Sequence, residues 1–292
     1  MPISKKKWFC EKSLPGKRKK TIEHCFSVDK LIFKGKTKFQ DVFIFDNDLY
    51  GRILFLDGIN QLSQKDEFIY HEIMVHPILF SHPNPKNVLI IGGGDGCILR
   101  EVLKHNVKKV DLVELDEEFI KICKKHFASI NKKSFSDKRV NVHIEPGQDF
   151  IKKYINHYDA IIVDCTNLED QGLSSSLYTK AFYNQVLKSL TKHGVIITLG
   201  ASFLDFNTLI KKIFKGIKAV FSNSVIYRFT VPSYHCGEYS FIAGSGSIDL
   251  EKINFKKIQD RFDKLAKKHE FKYYSPEIHK ASMVLPEAYK IE

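Results

Sequence analysis

Val88-Leu-Ile-Ile-Gly-Gly-Gly-Asp-Gly96 joins a short apolar run to a glycine-rich turn, and residues 98–105 continue it with helical spacing. An apolar run of this length, bounded by glycines, reads as a strand buried on both faces. Glycines where a strand passes into a helix let the backbone turn tightly and approach a ligand at the carboxyl edge of the sheet. No Lys-Ser/Thr follows, so this is not a phosphate-binding P-loop. Asp95 puts a carboxylate in the loop, which repels phosphate and suits a cationic or amine-bearing ligand. Glu114 ends the next apolar run, Val110-Asp-Leu-Val-Glu114, where an acidic residue accepts hydrogen bonds from ribose hydroxyls. Together these features fit an adenosine nucleoside without a pyrophosphate, a sulfonium of the S-adenosylmethionine type.

The same alternation continues outward. Helical spacing covers 116–127, a strand covers 140–144, and Pro146-Gly147 leads to a helix around 150–154. Ala160-Ile-Ile-Val163 is a further buried-type strand, followed by a loop over 164–176, a helix over 179–190 and a strand over 194–198. Strands and helices in this order predict βαβ units and a parallel, doubly wound sheet with helices on both faces. Upstream the pattern differs. Thr37-Lys-Phe-Gln-Asp-Val-Phe-Ile-Phe45 and Gly51-Arg-Ile-Leu-Phe-Leu56 read as strands around the turn Asp46-Asn47-Asp48, and Asp57-Gly58 marks another turn. A helix over 66–80 stops at His82-Pro-Asn-Pro85. The expected division is a small antiparallel β-hairpin domain with a basic arm over 1–65 and a Rossmann-like catalytic domain over 66–292.

Composition narrows the class. The 292 residues are 43% apolar and 27% charged, the balance of a folded chain with about two domains. The apolar runs are far shorter than the ~18 residues of a membrane span, and no secretory signal pattern opens the chain. A cytoplasmic protein is expected. Of the net charge of +12, most lies in residues 1–38, where twelve basic residues face three acids. The plainest account is a solvated terminal arm. No nucleic-acid-binding signature accompanies it, so nucleic acid and membrane are not expected partners. Six cysteines are scattered without a C-x-x-C pair, which gives no thiolate metal site and suits a reducing compartment.

An ordered series of motifs resembles the spermidine synthase, or polyamine aminopropyltransferase, family. It runs through Lys38-Phe-Gln-Asp41, Leu56-Asp-Gly58, Gln61-Leu62, Asp66-Glu-Phe-Ile-Tyr-His-Glu72 and Ile90-Ile-Gly-Gly-Gly-Asp-Gly96. It continues through Arg100-Glu-Val-Leu-Lys-His105, Val113-Glu-Leu-Asp116, Ile161-Ile-Val-Asp164, Leu177-Tyr-Thr179 and Val231-Pro-Ser-Tyr234. The resemblance implies an N-terminal β domain, a methyltransferase-like Rossmann domain, and a homodimer or homotetramer. It implies aminopropyl transfer from decarboxylated S-adenosylmethionine to an amine, releasing methylthioadenosine, with no metal and no tightly bound cofactor. Gln40, Gly92, Gly94, Asp95, Gly96 and Glu114 would hold the donor. Asp164 and Tyr70 would be catalytic, and Gln61, His71, Asn167 and Tyr234 would line the channel and acceptor site.

Departures cluster at the same place. The family's second carboxylate after the catalytic strand is Asn167, its Gly-Asp-Gly is Glu145-Pro146-Gly147, and its Gln-x-Glu is Leu199-Gly200-Ala201. Its Tyr-Pro-Ser-Gly is Tyr234-His-Cys-Gly237. Fewer carboxylates disfavour a dication, because a buried ammonium needs a paired charge. An acceptor other than ordinary putrescine is therefore expected, unless Glu169, Asp170 or Glu238 supplies the charge. Alternatives on the same fold are transfer of a 3-amino-3-carboxypropyl group from S-adenosylmethionine to a phosphate-bearing acceptor, such as a microcin C-type peptide-nucleotide, and N-methyl transfer. The polar, serine-rich stretch 168–176 is expected to act as a lid.

Overall fold

A computed structural model describes residues 7–11, 23–165 and 175–291, with the backbone alone over 204–207. Much of the basic arm, Asn167 and most of the expected lid lie outside the described residues. In the N-terminal part, β1 (Lys7–Cys10) pairs with β2 (Cys25–Val28), and β3 (Lys30–Lys36), β4 (Asp41–Asn47), β5 (Gly51–Leu56) and β6 (Ile59–Ser63) form an antiparallel sheet. The expected strand at 37–45 starts later, at Asp41. Thr37 instead turns the chain, its Oγ1 accepting from the backbone N–H of Phe39 and Gln40. Cys10 and Cys25 are joined as a disulfide across the β1–β2 pair, where the scatter of cysteines gave no sign of a link.

The second part follows as α1 (Glu67–Ser81), β7 (Asn87–Gly92), α2 (Cys97–Lys104), β8 (Lys109–Glu114), α3 (Glu117–His126) and α4 (Ala128–Asn131). Next come β9 (Val140–Ile144), α5 (Gly147–Phe150), β10 (Tyr158–Asp164), α6 (Lys180–Ser189), β11 (Leu190–Ser202) and α7 (Phe203–Lys218). The chain closes with β12 (Asn223–Thr230), β13 (Glu238–Ser245), α8 (Phe255–Ala266) and α9 (Pro276–Ser282). Seven strands stand in the order β12-β13-β11-β10-β7-β8-β9. The five from β11 to β9 are parallel, as predicted, but β13 and β12 add an antiparallel edge that the sequence reading did not reach. The expected helix near 150–154 is a short turn, α5 and the 3₁₀ residues Ile151–Lys153.

Alternate strand residues feed two cores. Val88, Ile90, Leu112 and Ile162 pack against α1 and α2, whereas Leu89, Ile91, Val113 and Ile161 pack against α6 and α7. Each such buried aliphatic side chain contributes ~1.5–3 kcal/mol. The packing fixes the carboxyl edge, where β7 and β10 end side by side with Asp164 paired to Gly92. Gly92 has φ +84°, and a Cβ there would stand 2.1 Å from the Asp164 carbonyl oxygen. Gly92→Ala therefore combines a left-handed conformation with a backbone clash. It should destabilise the fold by more than about 1 kcal/mol, read as a lowered midpoint in thermal unfolding, and an unchanged midpoint would refute this account.

Candidate active site

Tyr70 lies on the buried face of α1 and donates its hydroxyl to Asp164 Oδ1 at 2.6 Å. Burial and the facing carboxylate push the phenol far above its usual range, so Tyr70 stays a donor. Burial, reinforced by Asp95, also raises the Asp164 carboxyl to about 6, against the opposing pull of Tyr70 and His71. At neutral pH Asp164 is thus an enclosed carboxylate with unusually high proton affinity.

His71 is fixed by its neighbours on α1. Its Nδ1 meets Glu67 Oε2 at 2.6 Å, four residues back on the same helical face, and its Nε2 is 4.0 Å from Asp95 Oδ1. Arg100 clasps Glu67 from α2, both terminal nitrogens lying 2.9 Å from its carboxylate oxygens. Burial opposes charge on Glu67, but His71 and Arg100 hold its carboxyl down at about 2. Burial likewise opposes charge on His71, yet Glu67 and Asp95 raise its pKa. Glu67 and Arg100 fell within the quoted motifs without an assigned role. The i, i+4 spacing of Glu67 and His71 was the available signal.

The glycine loop passes over the sheet edge beside these groups. Asp95 Oδ1 accepts from the Cys97 N–H at 2.7 Å and so caps α2 while one edge faces His71. Glu114 Oε1 accepts from the N–H groups of Leu115 and Asp116 at 2.7 and 3.0 Å. A Cβ at Gly94 would come within 2.9 Å of Glu114 Oε2, so glycine there keeps that oxygen accessible. Gly96 starts α2 with φ +81°. Gln40 reaches this end from the N-terminal sheet, its Nε2 donating to Asp116 Oδ2 at 3.1 Å.

On the other side, Tyr234 donates to the backbone oxygen of Gln61 at 2.5 Å, and its ring centroid is 6.0 Å from that of Tyr70. The Gln61 side chain turns back to the carbonyl of Ile59. Asp66 stands at the start of α1 but gives both oxygens to Ser233, pinning the loop that carries Tyr234. Sequence reading named the Asp66 motif but not this tether. Glu145 pairs with Lys153, and Glu238 pairs with Arg228. Leu199 and Ala201 are buried and apolar. Glu169 and Asp170, like Asn167, lie outside the described residues.

An enclosed carboxylate of raised proton affinity, a glycine loop and a strand-end glutamate gather at the carboxyl edge of the sheet, where α/β enzymes bind their ligands. Residues 67–257 match the Spermine/spermidine synthase domain, and residues 7–64 match the Spermidine synthase tetramerisation domain. The chain is 37% identical over 262 residues to a polyamine aminopropyltransferase of Clostridium tetani, covering 89% of this chain and 90% of that one. It is 37% identical over 290 residues to the spermidine synthase of Schizosaccharomyces pombe, covering 98% and 93%. A solved spermidine synthase in complex with the transition state analogue AdoDATO superposes with a TM-score of 0.89 at 32% identity, covering 97% of this chain and 93% of that chain. The chain belongs to the spermidine synthase, or polyamine aminopropyltransferase, family and is an aminopropyl-transferring enzyme. No helix among the described residues is long and apolar enough to cross a membrane.

Glu114 offers a test that is independent of turnover. Burial raises its carboxyl from the ordinary 4.5 to about 7, with the backbone N–H bonds opposing. The folded state therefore binds the proton more tightly, and stability falls as pH rises between those values. Glu114→Gln should remove that decline. The variant should melt above the wild type at about pH 8, with the gap closing near pH 4, while losing nucleoside affinity. Parallel melting curves at both pH values would count against it.

Proposed function

We propose that the chain transfers the aminopropyl group of decarboxylated S-adenosylmethionine to an amine nitrogen, with Asp164 as proton acceptor. The hydrogen bond from Tyr70 to Asp164 at the sheet edge is the observation that carries this reading. The neutral amine attacks the methylene beside the sulfonium. A C–N bond forms as the C–S bond breaks, methylthioadenosine leaves as a neutral thioether, and the nitrogen's proton passes to Asp164. An amine with an ordinary pKa near ~10 is protonated at neutral pH, so a carboxylate with raised proton affinity is what the step requires. Tyr70 orients that carboxylate, while Asp95 and His71 stand at the donor's amine end. Glu114 takes the ribose hydroxyls, and Gln40 closes the donor end from the N-terminal sheet. Tyr234 and Gln61 form the wall toward the acceptor.

Buried Leu199 and Ala201, with Glu238 committed to Arg228, favour an acceptor other than ordinary putrescine. Functionally the chain divides after residue 65, with assembly assigned to 1–65 and chemistry to 66–292. Exposed Trp8, Leu31 and Leu49 in the first part support a homotetramer built through it. Light scattering on the purified protein should return a tetramer mass, and a monomer would overturn that assignment.

The assay supplies decarboxylated S-adenosylmethionine with putrescine, spermidine and agmatine in competition. Methylthioadenosine should be released, whereas S-adenosylhomocysteine would mark methyl transfer and defeat the proposal. Putrescine-selective turnover would overturn the acceptor reading alone. Asp164→Asn should lower kcat by on the order of 10²–10⁴. The wild-type log kcat/KM profile should steepen by one unit of slope below about pH 6, where Asp164 takes up its proton. Tyr70→Phe removes a hydrogen bond that favours the carboxylate, so that limb should move to higher pH.

A further inference from the structure

Glu11 directly follows β1 and His24 directly precedes β2, so the strand pairing sets them side by side. The Glu11 N–H donates to the His24 carbonyl at 2.8 Å, and the Cys10–Cys25 disulfide ties the same two strands. Glu11 is buried, and its Oε1 accepts from the Asn60 N–H at 2.7 Å. Its Oε2 lies 2.9 Å from His24 Nδ1. His235 comes to the same place from the β12–β13 loop. One ligand atom from each of Glu11, His24 and His235 lies within 4.8 Å of the others, with the two imidazole centroids 6.2 Å apart.

We propose that Glu11, His24 and His235 bind one zinc-class divalent ion. Two imidazoles and a carboxylate are a zinc ligand set, with bonds of ~2.0–2.2 Å that leave a fourth position for water. Ligand atoms already gathered this closely need only a small contraction. The ion takes the place of the Glu11–His24 hydrogen bond, the imidazole then presenting a lone pair to the metal. Asn60 supplies the outer support, its N–H fixing Glu11 and its side-chain amide holding the Ser233 carbonyl at 2.8 Å, in the loop that presents His235. His235 and Cys236 occupy the positions where the family resemblance has Pro-Ser, so the third ligand belongs to this chain's own departure. Another gathered set, Glu67, His71 and Cys97, is already clasped by the Arg100 guanidinium and carries no such assignment. A bound ion would staple the β1–β2 pair to the loop bearing Tyr234, whose hydroxyl meets Gln61.

The experiment titrates the full chain, disulfide intact, with zinc against a chromophoric chelator, and with Co²⁺ read by its visible bands. One ion per chain is expected. His24→Ala, His235→Ala and Glu11→Gln should each weaken binding by on the order of tenfold or more. Glu11→Gln keeps an acceptor for Asn60, and circular dichroism with thermal melts shows that each variant compared is folded. Lack of stoichiometric zinc binding by the wild type overturns the site. Wild-type affinity in any one of the three folded variants overturns it equally.

Discussion

At the carboxyl edge of the sheet, the Asp164 carbonyl lies where the Cβ of any residue but glycine at position 92 would stand. That close approach lets β7 and β10 end together, and their ends carry the residues of the candidate site. The N–H of Gly93 donates back to the same carbonyl at 3.2 Å, closing the glycine loop onto the end of β10. The Asp164 side chain is thereby fixed beside the loop that carries Asp95. Its raised proton affinity follows from position, since burial and a neighbouring carboxylate act on a group the backbone does not let move away.

Around this edge, charge is organised in layers of decreasing compensation. Arg100 satisfies Glu67 bidentately, and Glu67 satisfies His71, so the second layer is paired and hydrogen-bonded. Asp95 receives a helix N–H and a distant imidazole. Asp164 receives a phenol. The least compensated carboxylates are those facing the space a cationic donor and an amine would occupy. An ionised group left partly unpaired in a buried setting is costly, and a sulfonium or ammonium ligand offsets that cost where a neutral or anionic one does not.

Legibility in the sequence followed the range of the interactions. The stretch from Val88 to Gly96 was readable because strand, turn and helix are set by adjacent residues. The parallel strands β7, β8, β10 and β11 were readable from their apolar runs. Thr37 was misread as strand because its partner is Asp116, far along the chain, to which its Oγ1 donates at 2.5 Å. The β12–β13 edge was not reached at all, although its alternate residues Val225, Tyr227 and Phe229 face one core. Glu67 and His71 carried a local signal in their spacing. Asp66–Ser233 and Cys10–Cys25 carried none, because each joins segments whose separation only the folded chain defines.

The two parts of the chain meet through an apolar cluster, with Val42, Ile44, Leu54 and Leu62 against Phe119, Cys123 and Phe127, and through polar contacts that border the candidate site. Gln40 and Thr37 reach from the N-terminal sheet to Asp116, two residues beyond Glu114, while Asn60 and Gln61 on β6 reach the loop carrying Tyr234. The β domain therefore contacts both ends of the candidate site's edge. Charge-assisted hydrogen bonds to a buried carboxylate such as Asp116 are stronger and more directional than apolar contact. Such bonds add directional restraint to the packing between the parts. Gln40 and Gln61 thus place the N-terminal part against the same sheet edge that ends in Asp164.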